Sequence, residues 1–117
     1  MFGLFISTWL LAITLSPAVQ AHTKLTQTVP KDGATAEAGL STIEFKFAKP
    51  LWMIFVYLAR QPNGPRRQLV TKGRPAYERS HHIKVAPLAA GSYVVDWAAV
   101  ASDEHMMVGQ FKFQVRE

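Results

Sequence analysis

Residues 42–47 of the chain read TIEFKF, and apolar and polar side chains alternate along this stretch. A period of two is typical of a strand that buries one face and exposes the other. A similar pattern recurs at residues 93–97 (YVVDW) and 111–115 (FKFQV). Residues 52–59 are apolar on both faces, which indicates a central strand or a strand between two sheets.

Shorter strands are predicted at residues 25–29, 68–71 and 80–85. Groups rich in Pro, Gly, Asn and Asp separate the strands, as turn residues do, at residues 30–33, 62–65, 72–75 and 90–91. Seven short strands without a convincing long helix favour an all-β fold, an antiparallel sandwich of immunoglobulin-like type. Periodicity assigns four aromatic side chains to its core: Phe45, Trp52, Trp97 and Phe113.

The first 21 residues differ in character from the rest of the chain, because no charged side chain precedes Lys24. An apolar run from Leu4 to Leu15 is followed by Pro17 and by small residues that end at Ala21. This pattern predicts a signal peptide over residues 1–21, cleaved after Ala21, although its start carries no Lys or Arg. A buried N-terminal helix or an uncleaved anchor is the alternative interpretation.

Cleavage at that point leaves residues 22–117, the length of one small domain. A second domain, a TIM barrel or a dinucleotide-binding sheet does not fit in this length. The 117 residues include no Cys. The fold therefore depends on its core rather than on disulfides, and no thiolate is available as a metal ligand or nucleophile.

Three residues could together bind a metal ion. His22, as a mature N-terminus, would offer an α-amine and an imidazole that close a chelate ring on one ion. Asp103 and His105 stand two positions apart, so in extended chain their side chains point to the same side. An amine, two imidazoles and a carboxylate suit tetragonal Cu(II), although zinc could use the same donors. Each motif alone is weak, and ordinary surface residues remain the alternative.

From His22 to Val115 the sequence resembles the periplasmic copper-resistance protein C (CopC-like) domain family. The specific part of the likeness is the C-terminal half, where Gly91–Trp97 matches a Gly-x-Tyr-x-Val-x-Trp segment. Ser102–His105 and Gly109–Val115 match a Ser-x-Asp-Gly-His and Gly-x-Phe-x-Phe-x-Val ending. The rest of the likeness lies in Ala21–Leu25, the turn Pro30–Ala34, the strand Ile43–Phe47, and Pro87-Leu88.

The resemblance implies a seven-stranded cupredoxin-like or immunoglobulin-like sandwich, with Greek-key connections, that binds Cu(II) in the periplasm. The family's Cu(II) ligands fall on His22 (amine and imidazole), Asp103 and His105. The implied function is copper resistance or homeostasis, with the copper ion buffered or delivered to an inner-membrane copper transporter (CopD-like).

The sequence departs from the family pattern at the C-terminal loop. Glu104 stands where the family usually has Gly, and Met106 where Pro is common. Some family members carry a Met-rich loop for Cu(I), but this chain has only Met53 in the corresponding region. Met106 and Met107 would face opposite sides of a strand, so a separate Cu(I) site is not predicted.

Residues 60–84 carry seven Lys or Arg side chains and one acid, Glu78, and this basic surplus accounts for the net charge of +5 of the whole chain. The segment Arg60–Lys84 has a single aromatic side chain, Tyr77, so a nucleic-acid partner is not expected. A solvated surface is the default interpretation, and contact with anionic lipid headgroups is the alternative. The adjacent pair His81-His82 would point to opposite faces of a strand and is poorly placed for chelation.

Three functional hypotheses follow from the sequence. The first is a non-enzymatic copper carrier. The second is a copper redox enzyme with a histidine brace, since an N-terminal His and one further His supply that arrangement. The third is a β-sandwich module for protein partners, in which the histidines are incidental.

Overall fold

The computed structural model describes residues 25–70 and 73–117, together with Gly3. The predicted signal peptide and His22 therefore lie outside the described residues, apart from Gly3. Within the described ranges no helix occurs, and hence none suited to crossing a membrane. The seven strands are β1 (Leu25–Val29), β2 (Thr35–Ala36), β3 (Thr42–Arg60), β4 (Arg67–Val70), β5 (Glu78–Lys84), β6 (Gly91–Ala101) and β7 (Met106–Val115).

The 19-residue strand β3 belongs to two layers of the fold. Its first half pairs antiparallel with β1 on one side and β5 on the other. Its second half, from Leu51 onward, pairs antiparallel with β6 and β4. Strand β7 then adds to β6, and β2 adds to the end of β7. The single hydrogen-bonded sheet is thereby folded over at β3 into a sandwich.

The crossing point is residues 48–50, which read Ala-Lys-Pro and are exposed. Pairing with β1 ends at Phe47, and pairing with β6 begins at Leu51. The pairing with β5 also skips from Lys46 to Leu51. Pro50 has no N–H to donate to a ladder, so a proline is tolerated where no neighbouring strand pairs.

Aromatic side chains from the two layers meet in the core. Phe45, fully buried, lies with its ring centroid 5.9 Å from that of Trp97 and 5.7 Å from that of Phe111, both edge to face. Phe47 meets Trp97 in the same way at 5.5 Å. Offset and edge-to-face contacts of this kind add to the hydrophobic gain of burying the rings. The core therefore joins the layers without a disulfide.

Polar groups within this core are satisfied. The buried Tyr93 hydroxyl donates a hydrogen bond to the Ala89 carbonyl oxygen at 2.6 Å. Among the described residues, every buried side-chain nitrogen or oxygen has a hydrogen-bond partner. An unpaired buried polar group would lower the free energy of unfolding, and this part of the chain contains none.

The structure confirms the all-β sandwich of seven strands and corrects three details. The strands predicted at residues 42–47 and 52–59 are halves of the single strand β3. Strand β2, missed because two residues carry no periodicity, pairs parallel with β7 in an otherwise antiparallel sheet. Trp52 is only half-buried and lies against Tyr77, whereas Phe45, Trp97 and Phe113 are buried as predicted.

Gly109 is required by the packing of Trp97, its partner across the β6–β7 ladder. A Cβ atom built on Gly109 would lie 2.5 Å from Cζ2 of the Trp97 ring, inside the distance that real Cβ atoms keep. The indole thus occupies the space that a side chain at residue 109 would need.

We expect Gly109→Ala to destabilise the protein by about 2 kcal/mol, because the added methyl group overpacks a filled site. The free energy of unfolding in urea measures the effect. Gly73→Ala is the control, since no described residue lies within 4 Å of a Cβ at Gly73. Equal stability of the two variants would contradict the role assigned to Gly109.

Candidate metal centre

The predicted Asp103 and His105 lie in the loop that joins β6 to β7. The Glu104 N–H donates to the Ala101 carbonyl oxygen at 2.9 Å, and the Ala101 N–H donates to the His105 carbonyl oxygen at 3.0 Å. These two bonds define a type I turn followed by a bulge, a common way to close an antiparallel hairpin. The tight turn fixes where Asp103 and His105 stand relative to the sheet.

Glu104 occupies the bulge position with a φ of 70°. This left-handed conformation suits glycine, because a Cβ atom crowds the backbone there. The family pattern places Gly at this position, and the turn supplies the physical reason. The departure is visible in the sequence, but the backbone conformation behind it is visible only in the structure.

The carboxylate of Asp103 and the imidazole of His105 are paired. Asp103 Oδ1 accepts the His105 backbone N–H at 3.1 Å, and Oδ2 lies 2.9 Å from His105 Nδ1. The hydrogen bond from the His105 side chain lowers the pKa of the Asp103 carboxyl, and the backbone bond acts in the same direction. Both side chains are well exposed, at 84% for His105 and 63% for Asp103.

This pairing leaves one ring nitrogen of His105 for a ligand. With Nδ1–H donating to the carboxylate, Nε2 carries the lone pair of the neutral ring. A carboxylate that holds one imidazole nitrogen orients the other toward a metal and increases its basicity. The hairpin therefore presents an oriented nitrogen donor and an adjacent carboxylate to solvent.

The third predicted ligand, His22, lies outside the described residues. The described chain enters β1 at Leu25, opposite Phe47 in the ladder with β3. Ala101, the last residue before the hairpin loop, lies opposite Leu51 of the same strand. The start of β1 and the hairpin thus approach the same bend of β3, at residues 48–50. Within the described part of the chain, no three His, Asp or Glu residues are grouped closely enough for a metal site.

The other histidines are engaged elsewhere. His81 Nε2 lies 2.9 Å from the Glu78 carbonyl oxygen, and the His81 ring packs edge to face on Phe47. His82 Nδ1 lies 3.0 Å from Glu44 Oε1 on the exposed side of β5. His81 and His82 diverge because neighbouring side chains on a strand point to opposite faces, as predicted from the sequence.

The methionines also diverge. Met53 is a core residue, only 5% exposed, and offers no surface thioether. Met106 is 63% exposed, whereas Met107 packs partly buried against the core. The two adjacent methionines therefore face opposite sides of β7, as predicted.

The basic residues of Arg60–Lys84 that the structure describes are divided between the two layers of the sandwich. The Arg60 guanidinium donates to the Ala90 carbonyl oxygen, and the Arg66 guanidinium lies 4.2 Å from the centre of the Tyr57 ring. Arg79 and Lys84 belong to β5, in the other layer. Contact with a membrane surface through this segment stays a prediction.

Comparison with known proteins places these observations in a family context. The model of the CopC domain matches residues 25–116. Copper resistance protein C of Pseudomonas syringae pv. tomato is 28% identical over 120 residues, which cover 96% of this chain and 94% of that protein. Protein YobA of Escherichia coli K12 is 30% identical over 108 residues, 87% of this chain and 85% of that protein.

Solved structures share the fold. The crystal structure of CopC from Methylosinus trichosporium OB3b has a TM-score of 0.66 at 23% identity and covers 81% of this chain and 94% of that one. PcoC from Escherichia coli, described as a methionine-rich copper resistance protein, has a TM-score of 0.58 at 26% identity and covers 82% of this chain and 100% of that one.

We expect Glu104→Gly to stabilise the protein by about 1 kcal/mol, because glycine relieves the cost of the left-handed conformation. Urea unfolding in the absence of metal measures the change. Glu104→Ala removes the same carboxylate but keeps a Cβ atom, so it should bring no such gain. A gain of equal size in both variants would mean that charge, rather than backbone conformation, sets the stability of the hairpin.

Proposed function

The chain belongs to the CopC domain family, and from that premise we propose that it is an exported copper-binding protein. Its cargo would be Cu(II), and its role the buffering of copper in the periplasm or its delivery to an inner-membrane copper transporter. The proposal rests on the exposed Asp103–His105 pair of the β6–β7 hairpin. This hairpin lies at the end of the sandwich where β1 begins.

The proposed ligands are the α-amine and imidazole of His22, the carboxylate of Asp103 and an imidazole nitrogen of His105. For Asp103 and His105 to bind one ion together, the hydrogen bond between Asp103 Oδ2 and His105 Nδ1 has to open, because it holds the carboxylate on the side of the ring away from Nε2. Cleavage after Ala21 would create the amine, with residues 22–117 as the mature domain. Three residues of extended chain span roughly 10 Å, and the proposal requires residues 22–24 to run from Leu25 toward the hairpin at the β3 bend. Four nitrogen and oxygen donors without sulfur favour the tetragonal geometry of Cu(II).

The exposure of the pair suits transfer of the ion rather than its long-term storage. His105 and Asp103 stand on a turn that protrudes beyond the paired strands, and both are open to solvent. A membrane acceptor could therefore approach the ion without unfolding any part of the sheet. The sandwich behind the turn keeps the donors in place, because β6 and β7 pair along their whole length.

We expect His105→Ala in the mature protein to weaken Cu(II) binding by more than about 100-fold. Loss of a residue that only hydrogen-bonds to a metal ligand typically lowers metal affinity by about 10–100-fold, and loss of the ligand itself should lower it further. Competition titration measures the affinity, and EPR of the wild-type complex should show one nitrogen- and oxygen-ligated ion per chain. His82→Ala is the control, because His82 lies on β5 beside Glu44. Unchanged affinity in His105→Ala would contradict the proposed site.

Placing one Gly before His22 tests the proposed amine separately. The extension turns the His22 amine into a peptide amide but leaves every side chain unchanged. We expect a loss of affinity comparable to that of His105→Ala, together with a changed EPR spectrum. If the extended protein bound copper as well as the mature one, residue 22 would not supply its amine.

Copper affinity should fall as the pH falls from about 8 to about 5, the range in which free α-amines and imidazoles take up protons. Asp103 should not set this range. Its lowered pKa keeps the carboxylate ionised throughout it, and protonation would begin only in stronger acid. Asp103→Asn should therefore lower the affinity and leave the pH range unchanged. A fall confined to pH values below about 4 would show that the carboxylate governs binding.

A further inference from the structure

Met106 carries an exposed thioether that neither the core nor the proposed metal ligands account for. Its side chain is 63% exposed, and among the large hydrophobic residues described only Val108 is more exposed. The next residue, Met107, packs partly buried against the core, so the Met106 side chain points away from it. An apolar side chain stabilises a fold where it leaves water, and Met106 stays in water. Packing therefore does not explain a long thioether side chain at this position.

The methionines of residues 22–117 stand in three different environments. Met53 is only 5% exposed inside the core, Met107 is partly buried, and Met106 is open to solvent. The chain contains no Cys, so no thiol competes with these sulfur atoms for an oxidant. A dissolved oxidant has to reach the sulfur before it can react, so the rate of oxidation follows exposure. The fold thus presents one sulfur to the solvent and shields the other two.

Hydrogen peroxide oxidises a thioether in one step. A lone pair of the sulfur attacks one peroxide oxygen, the O–O bond breaks, and the other oxygen takes up a proton and leaves as water. The sulfur is oxidised by two electrons and becomes a sulfoxide, and the peroxide is reduced by the same two electrons. The step at Met106 therefore needs no metal ion and no second side chain.

The position of Met106 also allows the fold to tolerate the product. A sulfoxide is polar, and at Met53 its oxygen would be buried among apolar side chains without a hydrogen-bond partner. At Met106 the same oxygen would lie in water and accept hydrogen bonds from the solvent. Oxidation at residue 106 thus removes no packing from the sandwich, and the sulfoxide stays accessible to a reductase.

We propose that Met106 is a reversible oxidation site, which takes up one oxygen atom from hydrogen peroxide while Met53 and Met107 are spared. A methionine sulfoxide reductase returns the thioether, as two thiols are oxidised to a disulfide and the oxygen leaves as water. This site goes beyond the proposed function, because its reaction involves no copper ion. Its tests use copper-free protein, so their failure leaves the proposed function standing.

The first test follows peroxide oxidation of the mature protein in the presence of a metal chelator. Tandem mass spectrometry of its peptides resolves Met106 from Met107 over time. We expect Met106 to be oxidised first, at least about tenfold faster than Met53, with Met107 between them. Met106→Leu, which keeps an apolar side chain, should lose the fast phase and leave the other two rates unchanged. Equal rates at the three sulfurs, or faster oxidation of Met107, would overturn the proposal.

The second test asks whether the fold tolerates the sulfoxide. Urea unfolding of the singly oxidised protein should have the same midpoint as that of the unoxidised protein. Met106→Gln, a polar substitute for the sulfoxide, should also leave the midpoint unchanged. Met53→Gln is the matched control, because an amide in the core should lower the midpoint or prevent folding. A lower midpoint after oxidation of Met106 would overturn the proposal.

The third test measures reversal in the folded state. The singly oxidised protein is incubated with reductases for both sulfoxide epimers and a thiol, without denaturant. We expect the mass of the peptide that contains Met106 to return to its original value. A sulfoxide that the reductases remove only after urea has unfolded the protein would overturn the reversible site.

Discussion

The rest of the structure depends on one constraint, which is that a single strand serves both layers of the sandwich. Strand β3 pairs with β1 and β5 before residues 48–50 and with β4 and β6 after them. The two layers are therefore continuous through the backbone, and the contacts of Phe45 and Phe47 with Trp97 close them on each other. In a chain without cysteine, this continuity and the aromatic core take the place of a covalent link.

The bend in β3 also places the candidate metal centre. Strand β1 begins beside Phe47 and β6 ends beside Leu51, so the chain on either side of the bend leads to one end of the molecule. The hairpin there is closed by a turn that holds Glu104 in a left-handed conformation. Inside that turn, Asp103 accepts two hydrogen bonds from His105, which orients the imidazole before any ion arrives. An exposed but oriented pair is consistent with a carrier that must both bind and release its cargo.

The same hairpin leads directly into the uncovered edge of β7. Strand β2 is only two residues long and covers the far end of β7, and no other described residue pairs with the outer side of the near end.

The sequence by itself determined the class of fold and the identity of the candidate ligands. Alternation at residues 42–47, 93–97 and 111–115 marks strands because the side-chain period of a strand is two, and Asp103 and His105 are recognisable because their spacing fits the family pattern. Local patterns cannot show where a strand changes its neighbours, so the union of two predicted strands into β3 was missed. For the same reason, strand β2, the half-buried position of Trp52 and the free edge of β7 became visible only in the structure. Each of these depends on which distant segments pair, and pairing is decided by the packing of the whole chain rather than by the residues at one place.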